Sequence, residues 1–188
     1  MSYPAHGPHI TLTPLGAAAC AAVAHNLDAT LRAEPPPERG WKMPVERGKL
    51  PIGGYLLGYG YLRPQQLVLA LKLQRRSGLQ GSHLMLGDTL VRQQVISARV
   101  LATMLIVQLV DRLLADPPLI PTRLGEGLVL SGRIAPVQLA GAIQLQTWLR
   151  SAGMECSLSD ILIQQNLVTP EDVAAALRPA QGARDERA

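Results

Sequence analysis

The residues whose types could do chemistry are few and scattered. His6 and His9 stand in the opening stretch MSYPAHGPHI, and His25 and His83 are isolated, with no Cys or carboxylate at ligand spacing. Cys20 and Cys156 form neither a zinc spacing nor a disulfide framework. Cys156 precedes a predicted helix start, where a thiol can be acidified; a structural thiol is the favoured reading. Asp88, Glu126 and Asp160 open predicted helices, where acids offset the helix dipole. They do not read as a catalytic pair. No GxxxxGK[ST] loop exists in the chain. Enzyme chemistry therefore finds little support. What remains is recognition chemistry, carried by glycine, arginine and glutamine at fixed spacing.

That spacing emerges from a stretch that looks like a loop, LPIGGYLLGYGYL at 50–62. It is the first half of a repeat. Four 24-residue segments align: PIGGYLLGYGYLRPQQLVLALKLQ from 51, MLGDTLVRQQVISARVLATMLIVQ from 85, RLGEGLVLSGRIAPVQLAGAIQLQ from 123, and SLSDILIQQNLVTPEDVAAALRPA from 157. Position 3 is Gly53, Gly87, Gly125 and Ser159. Position 10 is Gly60, Gln94, Gly132 and Asn166. Position 17 is Leu67, Leu101, Leu139 and Val173, and position 21 is Leu71, Leu105, Ile143 and Leu177. Position 24 is Gln74, Gln108, Gln146 and then Ala180. The starts are offset by 34, 38 and 34 residues, so the copies pair as two plus two across the spacer DPPLIPT.

Each copy reads as helix, turn, helix. Apolar positions 2, 6 and 7 share one helical face. Gly or Asn at position 10 tolerates the left-handed conformation that ends a helix. The second helix starts with Pro64 or Pro136 at its first turn, a Ser97 cap, or Thr169-Pro170-Glu171-Asp172. One such hairpin cannot bury its apolar stripe alone, so the hairpins must stack. Ala17 to Ala33 reads as a further helix, either packed on the repeats or used for docking or dimerisation. A Pro-rich linker, EPPPERGWKMPVERGKLP, follows it. Residues 1 to 14 read as flexible and the tail RPAQGARDERA as disordered.

Composition agrees with helices. Of the 188 residues, 47% are hydrophobic and Phe is absent, so the core must come from Leu, Ile, Val and Ala. The net charge of +4 and pI near 9.4 give a mild bias toward anionic partners, short of a duplex binder's footprint. The first residues, MSYPAHGPHI, show no basic n-region followed by an apolar h-region, so no signal peptide is expected. The run Val100 to Val110 is too short to span a bilayer, so a cytoplasmic protein without membrane insertion is expected.

The pattern RLGxxLLxxGxLxxxxLxxxLxxQ resembles the MshEN domain, found at the N-terminus of type II secretion and type IV pilus assembly ATPases. The resemblance runs from 51 to about 178, roughly two thirds of the chain. It implies an all-α fold: tandem helical-hairpin repeats forming two MshEN-like subdomains. Unit one would span 49–116 and unit two 117–180, with a helix and linker at 1–48 and a disordered tail at 181–188. Many such domains bind cyclic di-GMP through two motifs together, and others only dock on a partner. The resemblance implies a ligand site at Arg123, Leu124, Gly125, Leu128, Val129, Gly132, Leu139, Ile143 and Gln146 of copy three. It adds Gly53, Gly60 and Gln74 of copy one, and Gly87 and Gln108 of copy two. The family's first-position Arg is Pro51 in copy one, Met85 in copy two and Ser157 in copy four.

The chemistry of these residue types suits a cyclic dinucleotide. An Arg fork matches phosphate oxygens or the guanine O6 and N7 edge. Glycine at a helix start brings backbone N–H groups near a phosphate. Leucines offer an apolar platform, and a glutamine amide can donate and accept at a base edge. Tyr55, Tyr59 and Tyr61 could stack on a base, though packing is the plainer reading. The glycines equally suit turns and close packing, the leucines a core. Lys49, Arg75, Arg76 and Arg92 could help attract an anion, with a solvated face as the default.

The expected function is a non-catalytic cytoplasmic module that binds cyclic di-GMP around copy three and signals to a bacterial secretion, pilus or exopolysaccharide system. No ATPase sequence follows, so it would act in trans. The alternative is an adaptor docking on a protein of such machinery without nucleotide. A helix-turn-helix binder of DNA is the weakest reading, for want of a basic recognition helix. No cofactor or metal is expected.

Overall fold

The computed structural model describes residues 14–38, 49–79, 85–115 and 123–185, and these are all-α: nine helices and no strand. After α1 (Pro14–Ala33), a short and a long helix alternate four times. The short helices are α2 (Ile52–Gly58), α4 (Leu86–Arg92), α6 (Leu124–Leu130) and α8 (Leu158–Gln164), each of 7 residues. The long ones are α3 (Pro64–Leu79), α5 (Ala98–Leu113), α7 (Pro136–Ser151) and α9 (Pro170–Asp185), each of 16 residues. Every short helix thus occupies repeat positions 2–8 and every long one positions 14–29.

Local signals set this frame. All four position-10 residues have positive φ: 79° at Gly60, 55° at Gln94, 69° at Gly132 and 54° at Asn166. The N–H at position 11 then reaches back to the carbonyl at position 6 in every copy, from Tyr61, Val95, Arg133 and Leu167. This is the Schellman closure that frees the chain to start the next helix. Gln94 adopts it without the freedom of glycine. The long helices are capped as expected: Ser97 Oγ accepts from the Val100 N–H, and Thr169 and Asp172 exchange two hydrogen bonds. The Thr169 N–H, and then the Thr169 hydroxyl, hold the half-buried Asp172 carboxyl below its ordinary value, with Arg133 adding to the effect.

Position 6 anchors the core. Leu56, Leu90, Leu128 and Leu162 are all 0% exposed. Within each pair the copies exchange helices: α2 packs on α5 and α3 on α4, and likewise α6 on α9 and α7 on α8. The most extensive contact of the molecule, however, joins α5 to α7 across the pairs, and α1 lies over both. One apolar cluster therefore runs from Val23 and Tyr55 through Val107 and Val110 to Leu128, Leu139 and Leu162. A second fills the first pair around Leu56, Leu90 and Met104. The pairs share a core. A buried hydrogen bond of 2.9 Å between Thr30 and Thr103 fixes α1 on α5, so α1 packs on the repeats.

The C-terminal tail departs from expectation. The backbone of α9 stays helical through Pro179 to Asp185, so residues 181–185 of the expected disordered tail are helical. A proline inside a helix removes one hydrogen bond, yet the Ala- and Arg-rich flanks carry the helix on. The expected flexible residues 1–13, linker residues 39–48 and last three residues lie outside the described residues, as do His6, His9 and His83. Among the described residues, no helix is long and apolar enough to cross a membrane.

Candidate functional site

The repeat glycines at position 3 are explained by packing. A Cβ on Gly87 would lie 2.8 Å from two Leu101 methyls, and one on Gly125 would lie 2.9 Å from Leu139. In copy one the corresponding distance, Gly53 to Leu67, is 3.0 Å. In these three copies the short helix therefore sits tight on the position-17 leucine of its own copy. Copy four carries Ser159 and Val173 at the same two positions, a larger residue against a smaller one.

Where copies two and three meet, a cleft of about 660 Å³ opens between α4, α5, α6 and α7. Seven of the expected site residues line it: Gly87, Gln108, Arg123, Gly125, Leu139, Ile143 and Gln146. Leu101 and Leu105 complete the apolar wall from copy two. The outer copies reach the cleft only with their first residues, at Pro51, Ile52, Ser157 and Leu158. The volume lies within the range of small-molecule sites.

The other expected site residues stand elsewhere. Leu128 and Val129 are buried at 0% and 6% exposure, on the core side of α6. Gly60 and Gly132 form turns. Gly53, Gln74 and Leu124 do not line the cleft. Expected stacking partners are also committed. Tyr55 is fully buried, and its hydroxyl donates to Asp111 Oδ2 at 2.9 Å. Tyr61 is 5% exposed and donates to the Glu34 carbonyl, and burial raises its pKa, with Glu34 adding to the effect.

The cleft has internal symmetry. Gln108 Nε2 donates to the Leu50 carbonyl at 2.6 Å, and Gln146 Nε2 donates to the Cys156 carbonyl at 2.9 Å. Leu50 and Cys156 are the residues just before copies one and four. Position 4 of each inner copy likewise meets position 28 of the other. Asp88 Oδ2 lies 3.4 Å from Arg150 Nη1, and Glu126 Oε1 lies 3.0 Å from Arg112 Nε. Exchanging copy two with three, and one with four, maps each contact onto its mate. A quasi-two-fold axis thus passes between α5 and α7.

Sequence reasoning missed these ion pairs. It assigned Asp88 and Glu126 to the helix dipole alone, yet their side chains cross to the neighbouring copy. The signal was present as arginine at position 28 in copies two, three and four. Glu126 is buried, with 4% of its side chain exposed, so Arg112 is needed to balance it. The two carboxylates are each matched by a guanidinium. Arg123, exposed at the start of α6, makes no ion pair with the described residues and leaves the cleft one positive charge in excess.

Chemically, the cleft offers an apolar floor, one available guanidinium, a second one 3.4 Å from its acid, and two amides fixed by the protein. No group of three or more metal-ligating side chains occurs among the described residues. Cys156 is half-buried and its carbonyl serves Gln146; His25 is exposed on α1. Compared with protein families, curated proteins and solved structures, the chain matches none of them.

Proposed function

We propose that the chain is a non-catalytic regulatory module that binds cyclic di-GMP in the cleft between copies two and three, and signals to a bacterial secretion, pilus or exopolysaccharide system. The observation that carries this reading is the quasi-two-fold construction of the cleft. The same repeat positions supply Gly87 and Gly125, Leu101 and Leu139, and Gln108 and Gln146 to its two sides. A cyclic dinucleotide has two chemically identical halves, so a site built twice from one motif is complementary to it. The leucines offer each flat base an apolar face. Arg123 offers its fork to a phosphate or a guanine edge. The site joins the inner copies of the two pairs, rather than lying around copy three alone.

Calorimetry with cyclic di-GMP tests the reading. Micromolar binding is expected, and Arg123→Ala should weaken it by about 10- to 100-fold, the loss of one charge-assisted contact. The absence of both heat and thermal stabilisation at saturating ligand overturns it.

One observation favours the adaptor reading. The amides of Gln108 and Gln146 already hold the chain together. The motif glutamines therefore have a structural task that would persist without nucleotide. In that case the chain docks on a protein of the same machinery, and calorimetry is blank while the Gln108→Leu variant still loses stability.

A further inference from the structure

Three repeat positions set copy one apart from the others. Position 4 is Asp88, Glu126 and Asp160 in copies two, three and four, but Gly54 in copy one. Position 28 is Arg112, Arg150 and Arg184, but Gly78 in copy one. Position 18 is Ala102, Ala140 and Ala174, but Val68 in copy one. In the inner copies these positions serve the contact between the pairs. The acid of each meets the arginine of the other. Ala102 and Ala140 are 2% and 7% exposed, on the two helices that pack together.

Copy four keeps the same three residue types, and the two whose side chains are described, Asp160 and Ala174, are exposed. The principal partner of α9 is the short helix α6. Ala174 is exposed, Leu177 is 40% exposed, and Asp160 is exposed without an ion pair among the described residues. The helical register places Arg184 in the last turn of α9, where Arg112 and Arg150 stand in α5 and α7. Copy one cannot be the counterpart, because glycines occupy both of its charged positions. The acid and the arginine of copy four complement only a face that carries both, which is the same face of a second molecule.

We propose that two copies of this chain associate copy four against copy four about a two-fold axis. In this dimer α9 lies on its equivalent as α5 lies on α7, and Asp160 of each molecule faces Arg184 of the other. Such a contact is isologous and closes on itself. The rival explanation of both charges is local, an acid in a first turn and a base in a last turn offsetting helix dipoles. It requires no second molecule.

Sedimentation equilibrium of the full chain separates the two. The dimer predicts a mass that rises across the micromolar range toward twice the 20.2 kDa of the monomer. Asp160→Arg alone and Arg184→Asp alone each set like charges against one another and should return the mass to that of the monomer. An equimolar mixture of the two variants restores opposite charges at both contacts and should recover the doubled mass. That recovery also shows that neither variant had failed to fold. A wild-type chain that stays monomeric overturns the proposal. So does a dimer that survives both reversals, or a mixture that stays monomeric while the wild type dimerises.

Discussion

Leu67 and Leu139 hold the same position of the same repeat, and each lies over the glycine of its own copy. Leu139 lines a cleft and Leu67 does not. The inner copies, two and three, face each other across α5 and α7. The outer copies, one and four, present the corresponding helices, α3 and α9, at the two ends of the array. The backbone frame is thus a property of each copy alone, set by glycine, leucine and proline at fixed positions. The candidate site is a property of which copies meet. Aligning the repeats finds the first and does not specify the second.

This comparison can be broken first in the core. Leu128 in inner copy three and Leu162 in outer copy four are both 0% exposed. Replacing either by Ala should cost about 2–5 kcal/mol, lowering Tm by roughly 4–20 °C for a chain of this size. Thermal melts of the two variants should agree within that range. A cost below about 1 kcal/mol for Leu162→Ala alone would mean that copy four does not share the cooperative core.

A smaller effect separates two glycines that sequence alone treats alike. A Cβ on Gly127 would stand 2.9 Å from the Ala176 carbonyl, where backbone must shift, whereas Gly78 faces open space. Gly127→Ala should destabilise by about 1–3 kcal/mol through overpacking of α6 on α9. Gly78→Ala should stabilise by a few tenths to about 1 kcal/mol through helix propensity. Denaturant midpoints measured side by side check the sign of each.

The smallest effect lies at Gln94, where a residue with a Cβ adopts φ 55° while Gly60 and Gly132 fill the same turn freely. Gln94→Gly should raise stability by up to about 1 kcal/mol, since relief of the left-handed strain outweighs the added backbone entropy. An unchanged or lowered midpoint would show that the Gln94 side chain contributes more than its strain costs.

Much of the fold was legible. Asn166 and the glycines at position 10 marked helix ends, and Pro64, Pro136, Ser97 and Thr169 marked helix starts, because these signals act within a few residues. The Gly–Leu spacing of positions 3 and 17 was legible as a pattern, but its purpose is the 2.8–3.0 Å approach within each copy. The cleft was half legible. Gln108 and Gln146 were named, yet their hydrogen-bond partners, Leu50 and Cys156, lie just before the outer copies, outside the repeat pattern. The pairing of Arg112 with Glu126, and of Arg150 with Asp88, depends on α5 crossing α7, and nothing local specifies that crossing. The helical course of α9 past Pro179 was missed because the tail RPAQGARDERA reads as disordered, whereas its backbone stays helical to Asp185.

The hydrogen bond between Thr30 and Thr103 spans 73 residues of sequence, and its helix rests on α5 and on α7, which ends at Ser151. On the ribosome α1 leaves the tunnel long before its seat exists. At ordinary elongation rates the interval is on the order of ten seconds. Until then the side chains of Val23 and Leu27, which end in the apolar clusters, lack part of the surface that covers them. Among the described helices, the one made first is thus among the last to find its place.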